Sequence, residues 1–260
     1  MKLPIYQIDA FASRVFGGNP AAVVPLDTWL PDETLQSIAA ENNLSETAFF
    51  VKKGDAYEIC WFTPKSEIEL CGHATLASGF VIFNYLEKGA ATVRFRSRSA
   101  GDLSVSRDGE FYILNFPSRP PREIASPEGL ARALDCAPIA TLENHKLLAV
   151  LENAETVRTV KINFDEIKKL KFDGLVITAP GRDCDFVSRY FAPHLGIDED
   201  PVTGSSHCIL TPYWANRLGK KIMNAKQVSA RGGELRCELA GDRVKIAGRA
   251  ALYLEGAIYI

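Results

Sequence analysis

Two short stretches, Cys71-Gly72-His73-Ala74 and Thr203-Gly204-Ser205-Ser206, decide the fold of this chain of 260 residues. Their glycines lie 132 positions apart, and after each glycine come eleven residues, an asparagine, one residue and a leucine. This shared spacing indicates two diverged copies of one unit. Each stretch follows a loop that contains a proline and leads into a segment that is apolar on nearly every side, as in a buried helix.

The two helix starts also predict a binding site. A buried helix that opens with glycine presents unpaired backbone N–H groups and the positive end of its dipole, which suit a small anion such as a carboxylate. Ordinary capping would explain either start alone. Because the two starts occur in register, with His73 and Ser205 directly after the glycines, we expect one shared active site in a cleft between the halves.

The composition is that of an ordinary globular protein, and it excludes several classes of function. With 260 residues, a net charge of −2 and scattered basic side chains, the chain has the length of two domains and no footprint for nucleic acid or a membrane surface. The N-terminus lacks the apolar core of a signal peptide, and no apolar run approaches the length of a membrane span. We therefore expect a cytoplasmic protein.

The cysteines and histidines show no spacing that is typical of a metal site. The six cysteines form no C-x-x-C pair and are interpreted as reduced thiols. Cys71 is the exception, because the dipole at a helix N-terminus would lower its pKa. Neither a G-x-G-x-x-G motif nor a P-loop occurs. We predict no metal, no nucleotide and no other cofactor.

The first half is predicted to be a strand-rich unit around its buried helix, and a proline cluster at 117–121 marks the boundary with the second half. Strands are predicted over 5–11, 21–24, 48–52, 57–62, 92–97, 103–106, 111–116, 175–179, 186–191 and 244–260, with a hairpin over 227–239 that folds on Gly232-Gly233. Besides the two buried helices, helices are predicted from Pro31, over 127–134 and, with the capping pair Asn163 and Glu166, over 164–170.

Three ionisable residues, Glu46, His73 and Asp200, lie where strands or loops meet the two helix starts. An apolar strand follows Glu46 and would draw its carboxylate toward the core, where a buried carboxylate can both take and give a proton. The alternative is a surface turn at Ser45-Glu46. His73 is either a hydrogen-bonded core histidine or an acid/base partner tuned by the helix dipole. Asp200 could be an ordinary turn residue, and His207 is interpreted as structural.

Several motifs occur together, in one order, along both halves. They are Asp9-Ala10-Phe11, Phe16-Gly17-Gly18-Asn19-Pro20, Leu44-Ser45-Glu46-Thr47-Ala48-Phe49, Trp61-Phe62-Thr63-Pro64, Leu70-Cys71-Gly72-His73-Ala74-Thr75, Ser188-Arg189-Tyr190-Phe191-Ala192-Pro193 and Asp200-Pro201-Val202-Thr203-Gly204-Ser205. This combination resembles the phenazine-biosynthesis isomerase (PhzF-like) family. The resemblance implies the α+β fold of diaminopimelate epimerase, in which two pseudo-symmetric domains each wrap a barrel-like mixed sheet around a central buried helix. It also implies that the C-terminal strands return to the first domain, so that the domains are 1–116 with about 252–260, and 117–251.

The resemblance assigns roles residue by residue. Glu46 matches the family's proton-shuttling glutamate, while His73 and Asp200 match further catalytic positions. Gly72 and Gly204 match the positions whose backbone amides hold the substrate carboxylate. The substrate-binding residues implied are Ser45, Gly72, Gly204, Ser205 and Asn19.

On these grounds we expect a cofactor-independent isomerase in which Glu46 moves a proton on a small carboxylate-bearing substrate, in an active site between the domains. The related epimerases use two cysteines as opposed acid and base, whereas this chain supplies only Cys71 at the corresponding positions. The alternatives are a two-base racemase or epimerase that uses Cys71, and a non-catalytic binding or interaction protein of the same fold. A homodimer is expected from base rates and from the resemblance.

Overall fold

The computed structural model describes all 260 residues and divides into two compact units. Unit 1 comprises Met1–Asn115 and Ala247–Ile260, and unit 2 comprises Phe116–Ile246. The chain re-enters unit 1 at Ala247, a few residues before the sequence-based boundary at 252, because the last strand pairs with the first strand from Ala250 onward.

The strands and helices follow one another in an order that is similar in the two units. The strands are β1 (Lys2–Ala10), β2 (Asn19–Leu26), β3 (Glu46–Lys53), β4 (Ala56–Phe62), β5 (Glu67–Ile68), β6 (Thr92–Ser97), β7 (Gly101–Asp108), β8 (Phe111–Pro117), β9 (Arg122–Glu123), β10 (Ala140–Glu143), β11 (Leu147–Val150), β12 (Leu175–Pro180), β13 (Phe186–Ala192), β14 (Ile197–Asp200), β15 (Ile222–Gln227), β16 (Gly233–Ala240), β17 (Arg243–Gly248) and β18 (Ala250–Tyr259). The α-helices are α1 (Asp32–Asn42), α2 (Gly72–Val81), α3 (Leu130–Leu134), α4 (Ala154–Thr159), α5 (Phe164–Ile167) and α6 (Gly204–Leu218), with a π-helical turn at Ile82–Leu86 and a 3-10 turn at Pro193–Leu195.

Unit 1 is a mixed sheet around the helix α2. Strand β1 pairs antiparallel with β18 and β2, β2 parallel with β3, β3 antiparallel with β4, β4 parallel with β6, and β6 antiparallel with β7. Helix α2 contacts β1, β2 and β3 and also β7 and β18, so strands from both ends of the sheet reach the same helix. This arrangement is a barrel-like sheet closed around a buried helix, whose residues His73 to Gly79 are all buried.

One glycine allows the close contact between α2 and the strand β7. A Cβ atom on Gly79 would lie 2.8 Å from Cγ1 of Val105, a separation that real Cβ atoms do not tolerate. Val105 is fully buried in β7. Glycine is unfavourable in a helix interior, so its presence here follows from packing rather than from helix propensity.

Unit 2 repeats this topology. Strand β10 pairs antiparallel with β11, β11 parallel with β12, β12 antiparallel with β13, β13 parallel with β15, and β15 antiparallel with β16. The same order of directions runs from β1 to β7 in unit 1. Helix α6 follows β13 and β14 and precedes β15, just as α2 follows β4 and β5 and precedes β6. The duplication predicted from the spacing of the two helix starts is therefore present in the topology.

Helix α6 is buried as the sequence predicts. Trp214 stacks on Phe186 with ring centroids 5.7 Å apart, and its indole N–H donates to Thr178 Oγ1 at 2.9 Å. The buried positions of α6 extend from Gly204 to Ala215 with few interruptions. The other buried cluster of unit 2 packs α3, α4 and α5 on strands β11 and β12.

Several sequence predictions need correction. The hairpin expected over 227–239 consists of β15 and β16, so that Gln227 ends the first strand instead of beginning it. The helix expected over 127–134 starts only at Leu130, because Gly129 adopts a left-handed backbone conformation with φ of 92°. The helix expected over 164–170 ends at Ile167, although the Asn163 side chain does accept from the N–H of Glu166 as expected. Strands β10 and β11 were not predicted.

Candidate active site

In unit 1, the beginnings of β2, β3 and α2 bring three polar side chains together. Asn19 is the first residue of β2, Glu46 the first of β3, and His73 the second of α2. The parallel pairing of β2 with β3 sets Ala21 opposite Glu46, and α2 packs against both strands. The three side chains are almost completely buried, with Asn19 at 0 %, His73 at 5 % and Glu46 at 6 % exposure. The alternative of a surface turn at Ser45-Glu46 is therefore wrong for Glu46, while Ser45 lies half-buried in the bend before β3.

His73 is the centre of this cluster. Its Nε2 atom lies 3.0 Å from Oε2 of Glu46, and its Nδ1 atom lies 3.1 Å from Nδ2 of Asn19. The Cys71 sulfur lies 3.5 Å from the same Nδ1 atom. A neutral ring accepts at Nδ1 from the Asn19 amide, whereas an imidazolium would donate there to the amide oxygen. In both states Nε2 is the ring atom that lies next to the Glu46 carboxylate.

Burial and charge set the protonation of this group. Burial, together with the Glu46 carboxylate, raises the pKa of the Cys71 thiol to about 11, and His73 and the backbone N–H of Ala74 offset this only in part. The prediction that the helix dipole lowers this pKa is wrong, because desolvation of a thiolate outweighs the dipole. Burial alone would lower the pKa of His73, but the Cys71 and Glu46 side chains raise it well above its ordinary value. Burial thus opposes charge on the thiol, whereas the neighbouring Cys71 and Glu46 side chains favour the charged form of the His73 ring.

The donor atoms of Glu46, Cys71 and His73 all lie within 4.8 Å of one another. Carboxylate, thiolate and imidazole are ligands that Zn²⁺ accepts, so this is the place where the chain could hold a metal. Sequence spacing gave no hint of it, because the three residues come from two distant elements. The same three groups also suit proton transfer, in which a carboxylate takes a proton while a neighbouring N–H donates.

In unit 2, a hydrogen-bond network holds the loop that leads into α6. The Thr203 hydroxyl donates to Oδ2 of Asp200. Gln227 accepts from the N–H of Thr203 at 2.8 Å and donates to the backbone oxygen of Asp200 at 2.8 Å. Asp200 is therefore fixed as the last residue of β14, and the backbone N–H groups at the start of α6 receive no side-chain cap. Gln227 and Thr203 were missed as parts of this site.

Ser205, the second residue of α6, contacts a residue that sequence analysis also missed. The Lys146 ammonium donates to the Ser205 hydroxyl and lies 4.6 Å from the centre of the Tyr190 ring. Burial lowers the pKa of Lys146 to about 8, although Asp200, Cys208 and Asp173 act in the opposite direction. An available signal was the apolar run β11 directly after Lys146, which resembles the apolar run that follows Glu46 within β3.

His207 has the surroundings of a structural histidine, in agreement with its interpretation from the sequence. It is fully buried, and its Nδ1–H donates to the backbone oxygen of Thr203 at 2.8 Å. Burial lowers its pKa to about 4, so the ring is neutral near pH 7. Of the predicted site residues, unit 1 thus groups Glu46, His73 and Asn19, next to Ser45 and Gly72, and unit 2 groups Asp200, Gly204 and Ser205.

Comparison with known proteins gives a consistent result. The sequence matches the PhzC-PhzF family, described as phenazine biosynthesis-like protein, over residues 8–256. It is 51% identical over 259 residues to an uncharacterized isomerase of Pseudomonas aeruginosa, covering 99% of both chains. A crystal structure of a PhzF-family protein from Enterococcus faecalis superimposes with a TM-score of 0.98 at 47% identity, covering 100% of both chains.

More distant structures share the fold. A hydroxyproline epimerase from Agrobacterium vitis, solved with bound trans-4-hydroxy-L-proline, matches with a TM-score of 0.63 at 10% identity, over 99% of this chain and 92% of that chain. This similarity concerns the fold alone, which is the diaminopimelate epimerase-like fold expected from the sequence. No helix in the chain combines the length and the apolar character needed to cross a bilayer.

Proposed function

The chain belongs to the phenazine biosynthesis-like family, and from this premise we propose that it is a cofactor-independent isomerase in which Glu46 moves a proton on a small carboxylate-bearing substrate. The observation that carries the proposal is the buried pair of Glu46 Oε2 and His73 Nε2, 3.0 Å apart. Glu46 takes a proton from an activated carbon and returns it elsewhere on the same π-system. The neighbouring His73 ring holds the carboxylate in place through its charge and stabilises the charge that develops.

In this proposal the other predicted residues position His73 or the substrate, or bind the substrate carboxylate. Asn19 orients His73, while Asp200 orients the substrate. In unit 2 the substrate carboxylate is bound by Ser205 and the backbone N–H of Gly204, and Gly72 is the matching substrate-binding position of unit 1. That both units act on one substrate remains a prediction from the sequence, as do the homodimer and the cytoplasmic location.

The second candidate is a two-base racemase that uses Cys71, and the thiol is well placed for it at 3.5 Å from His73. A base must be available in its deprotonated form, however, and a thiol with a pKa of about 11 is almost entirely protonated near pH 7. The chemistry of the group therefore favours Glu46 over Cys71 as the base.

The test follows proton transfer directly. Small unsaturated carboxylic acids and amino acids are incubated with the protein in heavy water, and proton NMR records isomers formed and deuterium incorporated. We expect double-bond isomers with at least one acid, a loss of several orders of magnitude in Glu46→Gln, and a small loss in Cys71→Ser, because an amide cannot carry the proton. The exposed Glu41→Gln is the matched control.

A different pattern of products would select the racemase. The products would be stereoisomers that carry deuterium at the inverted carbon. Glu46→Gln would still form them, and Cys71→Ser would not. That result would replace Glu46 by Cys71 as the base. A third outcome would support the non-catalytic alternative. In it the wild type exchanges no proton of any acid tested, yet binds these acids with the same affinity as Glu46→Gln does.

A further inference from the structure

Lys146 is a buried cation whose bonding capacity is incompletely used. Only 5 % of the residue is exposed. An ammonium group carries three N–H donors, and the Ser205 hydroxyl is the acceptor that the protein provides. The Tyr190 ring covers another side of the group through its π-face, 4.6 Å away. Buried N–H donors without acceptors are costly, so an acceptor from outside the chain would complete this group.

The surroundings of Lys146 select an anion as that acceptor. Ser205 lies in the first turn of α6, a helix of 15 residues whose first backbone N–H groups carry no side-chain cap. Positive partial charge from the helix and the full charge of the ammonium therefore converge beside one hydroxyl. Asp200, the carboxylate with the largest effect on the pKa of Lys146, already accepts the Thr203 hydroxyl.

We propose that Lys146 is an anion-binding residue, which together with Ser205 and the first turn of α6 holds the carboxylate of the substrate. The inference rests on the proposed function for the nature of the ligand, and it narrows the substrate to compounds whose anionic group pairs with a buried ammonium. A neutral ester or amide of the same acid would leave the charge of Lys146 uncompensated and would be rejected.

The experiment uses sodium malonate as the probe, at constant ionic strength, with the full-length protein. Binding is measured by NMR titration or calorimetry for the wild type, Lys146→Met, Lys146→Arg and the exposed control Lys161→Met. We expect the dissociation constant to rise roughly tenfold or more in Lys146→Met, the scale of a lost hydrogen bond between charged groups. Lys146→Arg should retain part of the affinity because the charge is kept, and Lys161→Met should bind as the wild type does.

The pH dependence of malonate affinity distinguishes a lysine that binds the anion from a lysine with a structural role. Since burial lowers the pKa of Lys146 to about 8, the wild-type affinity should fall above pH 8, toward tenfold for each pH unit. Lys146→Met should bind weakly and without this fall. The groups that act on Lys146 are Asp200, Asp173, Arg119 and Cys208, and the thiol of Cys208, with a pKa of about 11, stays protonated in this range. Tyr190, whose pKa burial also raises, and the neutral His207 do not titrate there either.

Two results would overturn the proposal. One is Lys146→Met binding malonate like the wild type with the same pH profile, and the other is a wild-type affinity that stays constant from pH 7 to 9.5. If Lys146→Met failed to fold, the wild-type profile and Lys146→Arg would still decide. Glu46→Gln separates this question from catalysis, because it should abolish proton transfer and leave malonate binding unchanged. An active enzyme whose malonate binding ignores Lys146 would refute only the anion site.

Discussion

At the scale of single residues, the chemistry of the unit 1 site depends on one buried ion pair. Glu46 and His73 each lose nearly all contact with water, which disfavours charge on either of them alone. Together they compensate each other, because Nε2 of His73 and Oε2 of Glu46 lie only 3.0 Å apart. Removing one partner of such a pair leaves the other charge uncompensated and costs more free energy than the pair contributes.

The pH dependence of stability should reveal the raised pKa of His73. In the folded protein this pKa lies well above the ordinary value of 6.5, so the folded state holds the proton over a range in which the unfolded chain has released it. The stabilisation is complete below pH 6.5 and is lost as the pH rises through the folded-state pKa. The difference in free energy of unfolding between wild type and His73→Gln should therefore be largest at pH 6 and shrink by pH 9.

Urea denaturation at pH 6, 7.5 and 9 measures this difference. The exposed His194→Gln is the control and should show little effect at any pH. A gap between wild type and His73→Gln that stays constant over the three pH values would show that the ring does not change its charge differently in the two states.

Lys146 should behave in the opposite way. Its pKa falls from 10.5 to about 8 on folding, so below pH 8 the protein carries a desolvated charge at a cost of about 3 kcal/mol. This cost declines as the pH rises from 8 and disappears above 10.5, where both states are neutral. Lys146→Met should be more stable than the wild type at pH 7, by up to about 3 kcal/mol, and the advantage should vanish near pH 10.5. Thermal unfolding at both pH values, with Lys161→Met as the reference, measures this difference in stability. If Lys146→Met were less stable than the wild type at pH 7, the prediction would be contradicted.

At the scale of elements, the two helix starts were accessible from the sequence because glycine, the apolar segment behind it and the spacing of 132 residues are all local patterns. The contact of Lys146 with Ser205 was not accessible, because it joins the residue before β11 to α6 across 59 positions. The prediction of a lowered pKa for Cys71 was wrong for a similar reason. The helix dipole is a local property, whereas burial depends on the strands that surround α2.

Packing of α2 against β7 gives a prediction that runs against helix propensity. Alanine is better than glycine inside a helix by about 1 kcal/mol, yet the added Cβ at position 79 would overlap Val105. Overpacking of this kind typically costs about 1–3 kcal/mol. Gly79→Ala should therefore lower the free energy of unfolding, as measured by urea denaturation. Combining it with Val105→Ala should cost less than the sum of the two single changes, and additive losses would place the strain elsewhere.

At the scale of the whole molecule, the repeated topology was predictable as a duplication but not in all of its strands. The order of strand directions is the same from β1 to β7 as from β10 to β16. Strand β11 was not predicted because a short, fully apolar run does not distinguish a strand from a buried helix, and its partner β10 is equally short. The two copies have nevertheless acquired different chemistry, an acid/base group in unit 1 and a cation with a hydroxyl in unit 2.

Because the two units carry different chemical groups, we expect coupling in malonate binding between substitutions within unit 2 and none between the units. Ser205→Ala should weaken malonate binding by about 1–2 kcal/mol, the value of a hydrogen bond to a charged group. Combined with Lys146→Met it should cost less than the sum, because the two side chains contact each other and bind the same anion. Glu46→Gln should leave the malonate dissociation constant unchanged alone and in either background, while it removes turnover. Dissociation constants for the single and double variants test this: additive losses for Ser205 and Lys146 would mean that they do not bind one anion together.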